Sequence, residues 1–231
     1  MQSLINGLIN QGYLKTPRII RAFKHIHRAD FMLPEFKNSA EANVPLPIGF
    51  GQTISQPLTV AFMLELLQPK PGDKILDVGS GSGWTTALLS EIVGKKGKVI
   101  GLEIVPELCK FGEENVRKYF PTSGVGSMLN IEPKNSNGSG LNPEPTSRSK
   151  SKRVQFLCVD GSKGYSKEAP YDKILVSAAA EKLPVQLKKQ IKVGGRIVIP
   201  VRSSIWLIER VGKNKFREEE HYGFAFVPLI S

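Results

Sequence analysis

Cysteine is nearly absent from this chain: Cys109 and Cys158 are the only two in 231 residues. Neither has another Cys or a His at metal-ligand spacing, which excludes a disulfide framework and a metal centre. Two isolated thiols instead suit a reducing cytoplasm. Histidine is as scarce, and His25, His27 and His221 read as surface or packing residues. No apolar run approaches the about 20 residues that a membrane-spanning helix needs. Residues 1–13 lack the basic start and compact apolar stretch of a signal peptide. Negative charge is also short: 21 Asp and Glu against 32 Lys and Arg leave a net charge of +11. The positive residues are spread out, and their densest knot (Arg148, Lys150, Lys152, Arg153) lies in a polar stretch. Such a spread favours solubility without specifying a nucleic-acid groove.

What is present is a globular balance, 40% hydrophobic and 23% charged, sufficient for one α/β domain over 1–231. Residues 1–50 read as an N-terminal extension of that domain. Leu4, Ile5, Leu8 and Ile9 predict one short helix, and Ile19, Ile20 and Phe23 after Pro17 predict a second. Proline and glycine make residues 34–51 a loop. A helix is expected over 57–67, where Val60, Met63, Leu64 and Leu67 share a face. Strands and helices then alternate: strands at 74–78, 98–103, 154–159 and 173–177, with helices at 84–93, from Pro106, and at 184–191. Strands at 196–200, 205–211 and 223–227 close the chain, with a turn at Gly194-Gly195. This alternation predicts a doubly wound, mostly parallel sheet with one antiparallel edge strand. Residues 121–153 are rich in Ser, Gly, Asn, Pro and Lys, and are expected to form a mobile insertion.

The chemistry gathers at strand ends. Asp77 precedes Gly79-Ser80-Gly81-Ser82-Gly83, a strand-to-helix turn expected to present backbone N–H groups to a ligand. Its Gly-x-Gly-x-Gly spacing differs from that of dinucleotide binders and suits a cofactor with a free amino acid end. Glu103, ending the next strand, is placed to accept both hydroxyls of a ribose. Asp160 could accept from an exocyclic amine while Gly161 lets a flat base approach. Three polar positions at successive strand ends point to an adenosine-containing cofactor.

The run Leu46-Pro47-Ile48-Gly49-Phe50-Gly51-Gln52-Thr53-Ile54-Ser55-Gln56-Pro57 resembles the signature of the protein-L-isoaspartate O-methyltransferases. So do Leu76 to Gly83, Ala169-Pro170-Tyr171-Asp172, Gly194-Gly195-Arg196 with Ile199-Pro200-Val201, and Phe226-Val227-Pro228-Leu229. The resemblance implies a Rossmann-like fold of seven strands that binds S-adenosyl-L-methionine (SAM) and releases S-adenosyl-L-homocysteine. It implies a repair enzyme that methylates the carboxylate of L-isoaspartyl residues in damaged proteins and peptides; separately, the chain is expected to be a monomer. By the same resemblance, Ser55 is the active-site serine and Thr53 and Ile54 contact the cofactor with Ser55. Asp77, Gly79, Ser80, Gly81, Gly83, Glu103, Asp160 and Gly161 complete the SAM site.

Ser55 also has a purely structural reading, as the N-cap of the helix that follows. The sequence departs from the family at Glu41 and Asn43, at Arg202 where glycine is usual, and at Trp206 near a common glutamine. Two alternatives stay open. One is a nucleic-acid methyltransferase, disfavoured because Ser177-Ala178-Ala179-Ala180 replaces the expected Pro-Pro-aromatic run. The other is a SAM-binding adaptor, or a modifier of one dedicated peptide partner. An isoaspartyl carboxylate with a pKa of roughly 4 is already ionised at neutral pH, so the lack of a catalytic histidine is no obstacle.

Overall fold

The computed structural model describes residues 2–123 and 153–229. The expected insertion at 121–153 falls mostly outside them. The chain opens with helices α1 (Gln2–Asn10) and α2 (Pro17–His25), and the latter starts on a proline in its first turn. Two 3-10 turns, Arg28–Phe31 and Pro34–Ser39, follow. The stretch expected to be a loop then forms an antiparallel hairpin of β1 (Leu46–Gly49) and β2 (Gln52–Ile54). Gly49, Phe50 and Gly51 all have positive φ at its tip. These short strands lack the alternation that identifies longer ones, so turn chemistry decides the local structure.

Helix α3 (Pro57–Leu67) leads into the sheet proper: β3 (Lys74–Val78), α4 (Trp84–Val93), β4 (Lys98–Glu103), α5 (Pro106–Arg117), β5 (Thr122–Ser123) and β6 (Val154–Cys158). Strand β7 (Tyr171–Val176), helix α6 (Val185–Gln190) and strands β8 (Ile191–Val201), β9 (Ser204–Gly212) and β10 (Lys215–Tyr222) complete it. The eight strands lie in the order β10-β9-β8-β7-β3-β4-β6-β5. β3, β4, β5, β6, β7 and β8 pair in parallel, and β9 and β10 add an antiparallel edge. The chain runs from β3 outward one way through β4 and β6, then returns to the other side of β3 with β7. Ligands in open sheets bind beyond the strand ends at such a reversal.

Neighbouring residues face opposite sides of the sheet. Ile75, Val99 and Val198 join the core under α1–α5, while Leu76, Ile100 and Ile197 join a second core with Leu187 of α6. Two expectations at the edge are corrected. The final strand is Lys215–Tyr222, and residues 223–227 form no strand. With the sequence KFREEEHY, β10 is polar on both faces, which hides the strand pattern but suits an edge exposed to water. The Gly194-Gly195 turn is instead an irregularity inside β8, whose pairing with β7 jumps from Tyr171↔Ile191 to Lys173↔Arg196.

Candidate active site

A cleft open at its mouth lies over the ends of β3, β4 and β7. Of the expected residues, Thr53, Ile54, Ser55, Gly79, Ser80, Gly81, Glu103 and Gly161 line it together. Asp77, Gly83 and Asp160 are not among its lining.

The turn after β3 does not present its amides as expected. Gly79 N and Ser80 N both donate to Leu102 O (2.9 and 3.0 Å), Gly83 N donates to Ser80 O (2.8 Å), and Gly81 N donates to Glu103 Oε2 (2.8 Å). Donors spent inside the protein cannot cradle a phosphate. The glycines serve shape instead. Gly79 takes φ 74° against Ala178, and a Cβ on Gly161 would come within 2.7 Å of Val78 Cγ1. Gly83 caps α4 at φ 85°, where a Cβ would meet the carbonyl oxygen of Gly112 in α5 at 2.6 Å. Its role is therefore helix packing behind the cleft.

Glu103 is a brace as well as a lining residue. Its Oε1 accepts from Ile104 N (2.9 Å) and Val105 N (3.1 Å), while Oε2 holds Gly81. A carboxylate offers about four lone-pair sites, so capacity remains for a ligand. Asp77 is fully buried beneath the turn, and its Oδ2 accepts from Thr85 Oγ1 (2.8 Å) and Thr86 Oγ1 (2.6 Å). Burial, aided by the charge of Glu103, pushes its pKa up to about 6 against the two hydroxyl bonds. Asp160 stands exposed at the rim, and its Oδ1 accepts from Ser162 N at 2.8 Å. That backbone bond holds its pKa below the usual range.

Three buried polar atoms in this region have no protein partner: Asp77 Oδ1, Ser80 Oγ and Trp84 Nε1. Unpaired buried groups are costly and are commonly completed by a ligand or ordered water. Among the described lining residues Glu103 is the only charged one, with Asp77 behind it, and none is Lys or Arg. In a chain of net charge +11, this acidic floor selects a cationic ligand over a phosphate-bearing one.

The hairpin contributes Ile48 and Gln52 beside Thr53, Ile54 and Ser55. Ser55 is half-buried and does not cap α3. The N-cap is Gln56, without a side-chain bond, and Leu58 N donates instead to Asn43 Oδ1 at 2.9 Å. The departure at Asn43 thus supplies the helix cap. Further lining comes from Val227, Pro228 and Leu229, tied down by Ala179 N to Val227 O and Leu229 N to Ala179 O, each 2.8 Å. Arg202 occupies the two-residue turn between β8 and β9 with a left-handed φ of 54°, where glycine would be unstrained. It is exposed and outside the cleft lining. Trp206 pairs with Ile199 in mid-sheet and packs in the α6-side core, also away from the cleft. Neither departure alters the described lining. Trp84 and Ser177 line the cleft with no sequence signal to mark them beyond their places just after a glycine turn and a strand end.

A model of the protein-L-isoaspartate(D-aspartate) O-methyltransferase family matches residues 1–231. The chain is 38% identical over 233 residues to a protein-L-isoaspartate O-methyltransferase of Methanopyrus kandleri, covering 99% of this chain and 90% of the relative. To that of Ignicoccus hospitalis it is 40% identical over 233 residues, covering 99% and 96%. A Plasmodium falciparum structure named for a protein-L-isoaspartate O-methyltransferase, in complex with S-adenosyl-L-homocysteine, superimposes with a TM-score of 0.75 at 24% identity, covering 99% and 97%. A second structure of that name gives 0.76 at 23%, covering 100% and 66%. At these identities the two structures establish the shared fold.

Proposed function

The chain belongs to the protein-L-isoaspartate(D-aspartate) O-methyltransferase family, and on that premise we propose how its cleft carries out the family reaction. The enzyme transfers a methyl group from SAM to the carboxylate of L-isoaspartyl residues, a protein-repair activity. The observation that supports the reading of the site is a cleft lined by the carboxylate of Glu103, with Asp77 buried behind it under a glycine turn and no Lys or Arg among the described lining residues.

The residues fit the cofactor: acidic groups suit its positive charges, and Ser80 Oγ and Trp84 Nε1 stand unpartnered for its polar atoms. Glu103 would hold the ribose, Gly161 would admit the adenine with Asp160 at the rim, and Thr53, Ile54 and Gly79 to Gly81 would enclose the amino acid end. When bound, SAM supplies a methyl group already activated on a sulfonium. The protein therefore needs no general base and contributes alignment and exclusion of water. Ser55 would orient the acceptor carboxylate through its hydroxyl, and Val227, Pro228 and Leu229 would shield it. Free thiols at both cysteines are consistent with a cytosolic setting, and no helix among the described residues is long and apolar enough to cross a membrane.

The test is methyl transfer to an isoaspartyl peptide beside its aspartyl twin. Transfer to the first alone is expected, and equal or absent transfer would overturn the reading. A nucleic-acid acceptor is disfavoured by the same lining, whose described residues include no cation for a phosphate backbone.

A further inference from the structure

A buried arginine stands behind Ser55. Arg28 is 0% exposed, yet among the described residues it forms no ion pair with a carboxylate. Its guanidinium donates instead to four carbonyl oxygens: Nη1 to Ala40 (3.3 Å) and Ala42 (2.9 Å), and Nη2 to Val44 (2.8 Å) and Ser55 (3.2 Å). Its central carbon lies 5.5 Å from the ring centroid of Trp84, which lines the cleft. Burial pushes its pKa down to about 10, so it stays charged at neutral pH.

Charge buried without a counter-ion is expensive, and an apolar residue could fill the same space at less cost. The position of the four carbonyls accounts for the expense. Three belong to residues 40–44, which lead into the hairpin, and the fourth belongs to Ser55 itself. Only a planar fork with five donors can bind several carbonyls at once. Because these four partners are dipoles, none of them cancels the guanidinium charge, and no carboxylate among the described residues pairs with it. Asp77 and Glu103 make the cleft acidic around the glycine turn, while the Arg28 guanidinium lies against the Ser55 carbonyl and the Trp84 ring.

We propose that Arg28 is a positioning residue for the methyl acceptor: it fixes the main chain of Ser55, and its uncancelled charge favours an anionic carboxylate beside that serine. The assignment rests on the proposed function, with Ser55 on the acceptor side.

The test compares wild type with Arg28→Gln and Arg28→Lys, measuring KM and kcat for an isoaspartyl peptide and, by calorimetry, affinity for S-adenosyl-L-homocysteine. Arg28→Gln should raise KM at least about tenfold while leaving S-adenosyl-L-homocysteine affinity within threefold. Arg28→Lys, which keeps the charge but not the fork, should fall between. A purely structural role would move both ligands together or neither, and either pattern overturns the proposal. A readout on wild type alone guards against variants that do not fold. With S-adenosyl-L-homocysteine bound, an isoaspartyl peptide should bind at least about tenfold more tightly than its neutral isoasparaginyl twin, and equal binding overturns the proposal. Absence of methyl transfer by wild type would remove the functional reading and this proposal with it. Normal wild-type activity with an unchanged KM in Arg28→Gln would remove this one only.

Discussion

Glu103 Oε2 accepts the backbone amide of Gly81 at 2.8 Å, so the acid ending β4 and the glycine turn after β3 form one unit. A side chain expected only to meet a ribose also holds the turn in shape. Glu103→Gln removes the charge and places an amide where three backbone donors need an acceptor. Hydrogen bonds to a charged group are worth ~1.5–3 kcal/mol, so S-adenosyl-L-homocysteine affinity should fall roughly ten- to a hundredfold. Calorimetric titration checks this, and a change within twofold would reduce Glu103 to a brace.

Gly81 and Gly83 should separate binding from folding. A Cβ on Gly81 (φ 49°) would meet only the tip of the Ile48 side chain, at 3.3 Å, inside the cleft. On Gly83 it would strike the backbone oxygen of Gly112 at 2.6 Å. Gly83→Ala is expected to cost about 2 kcal/mol or more, through backbone strain and the forced parting of α4 and α5. Gly81→Ala should cost about 1 kcal/mol while losing most of the thermal shift with S-adenosyl-L-homocysteine. Denaturant midpoints with and without ligand test the pair, and equal stability losses would contradict it.

Capping by Asn43 makes the role of Ser55 separable as well. Ser55→Ala should lower methyl transfer roughly ten- to a hundredfold with little change in stability. Asn43→Ala should cost about 1 kcal/mol of stability with turnover nearly intact. A fully active Ser55→Ala enzyme would falsify the catalytic assignment.

Asp77 should give ligand binding a pH dependence. Its folded pKa of about 6 lies above the unfolded value of 3.8. The folded state therefore binds the proton more tightly, and this stabilisation is present below pH 3.8 and lost as pH rises to about 6. Asp77→Asn should accordingly gain on wild type across that window, by up to about 3 kcal/mol, and then hold level. A cationic ligand prefers the ionised form, so SAM affinity of wild type should rise through about pH 6, and the rise should vanish in Asp77→Asn. Parallel titration curves for the two proteins would refute this.

The parallel sheet was legible because Lys74–Val78 and Lys98–Glu103 are short apolar strands that end in glycine or acid and pass into helices. A shared apolar face placed α3, and the glycine turn after β3 placed the start of α4, at their observed bounds. The β1–β2 hairpin escaped because two strands of four and three residues carry too little alternation. β10 escaped because a solvated edge strand needs no apolar face. At the site, glycine spacing identified where the turn lies but not where its amides point. The Leu102 carbonyl that takes two of them is remote in sequence. Arg28 and Asn43 were illegible for a related reason. One binds carbonyls and the other an amide, and backbone partners leave no trace in residue types.

The anchoring of residues 227–229 on Ala179 bears on the enzyme's synthesis. A ribosome delivers the β1–β2 hairpin early and the last lining residues only after the entire sheet. At roughly 5–20 residues per second, the interval between them is on the order of tens of seconds. Throughout it the nascent chain has its glycine turn and Glu103 but a cleft still open on one flank. A message cut short before residue 227 would thus yield a chain able to assemble its strands but lacking the flank proposed to seal the reaction from water.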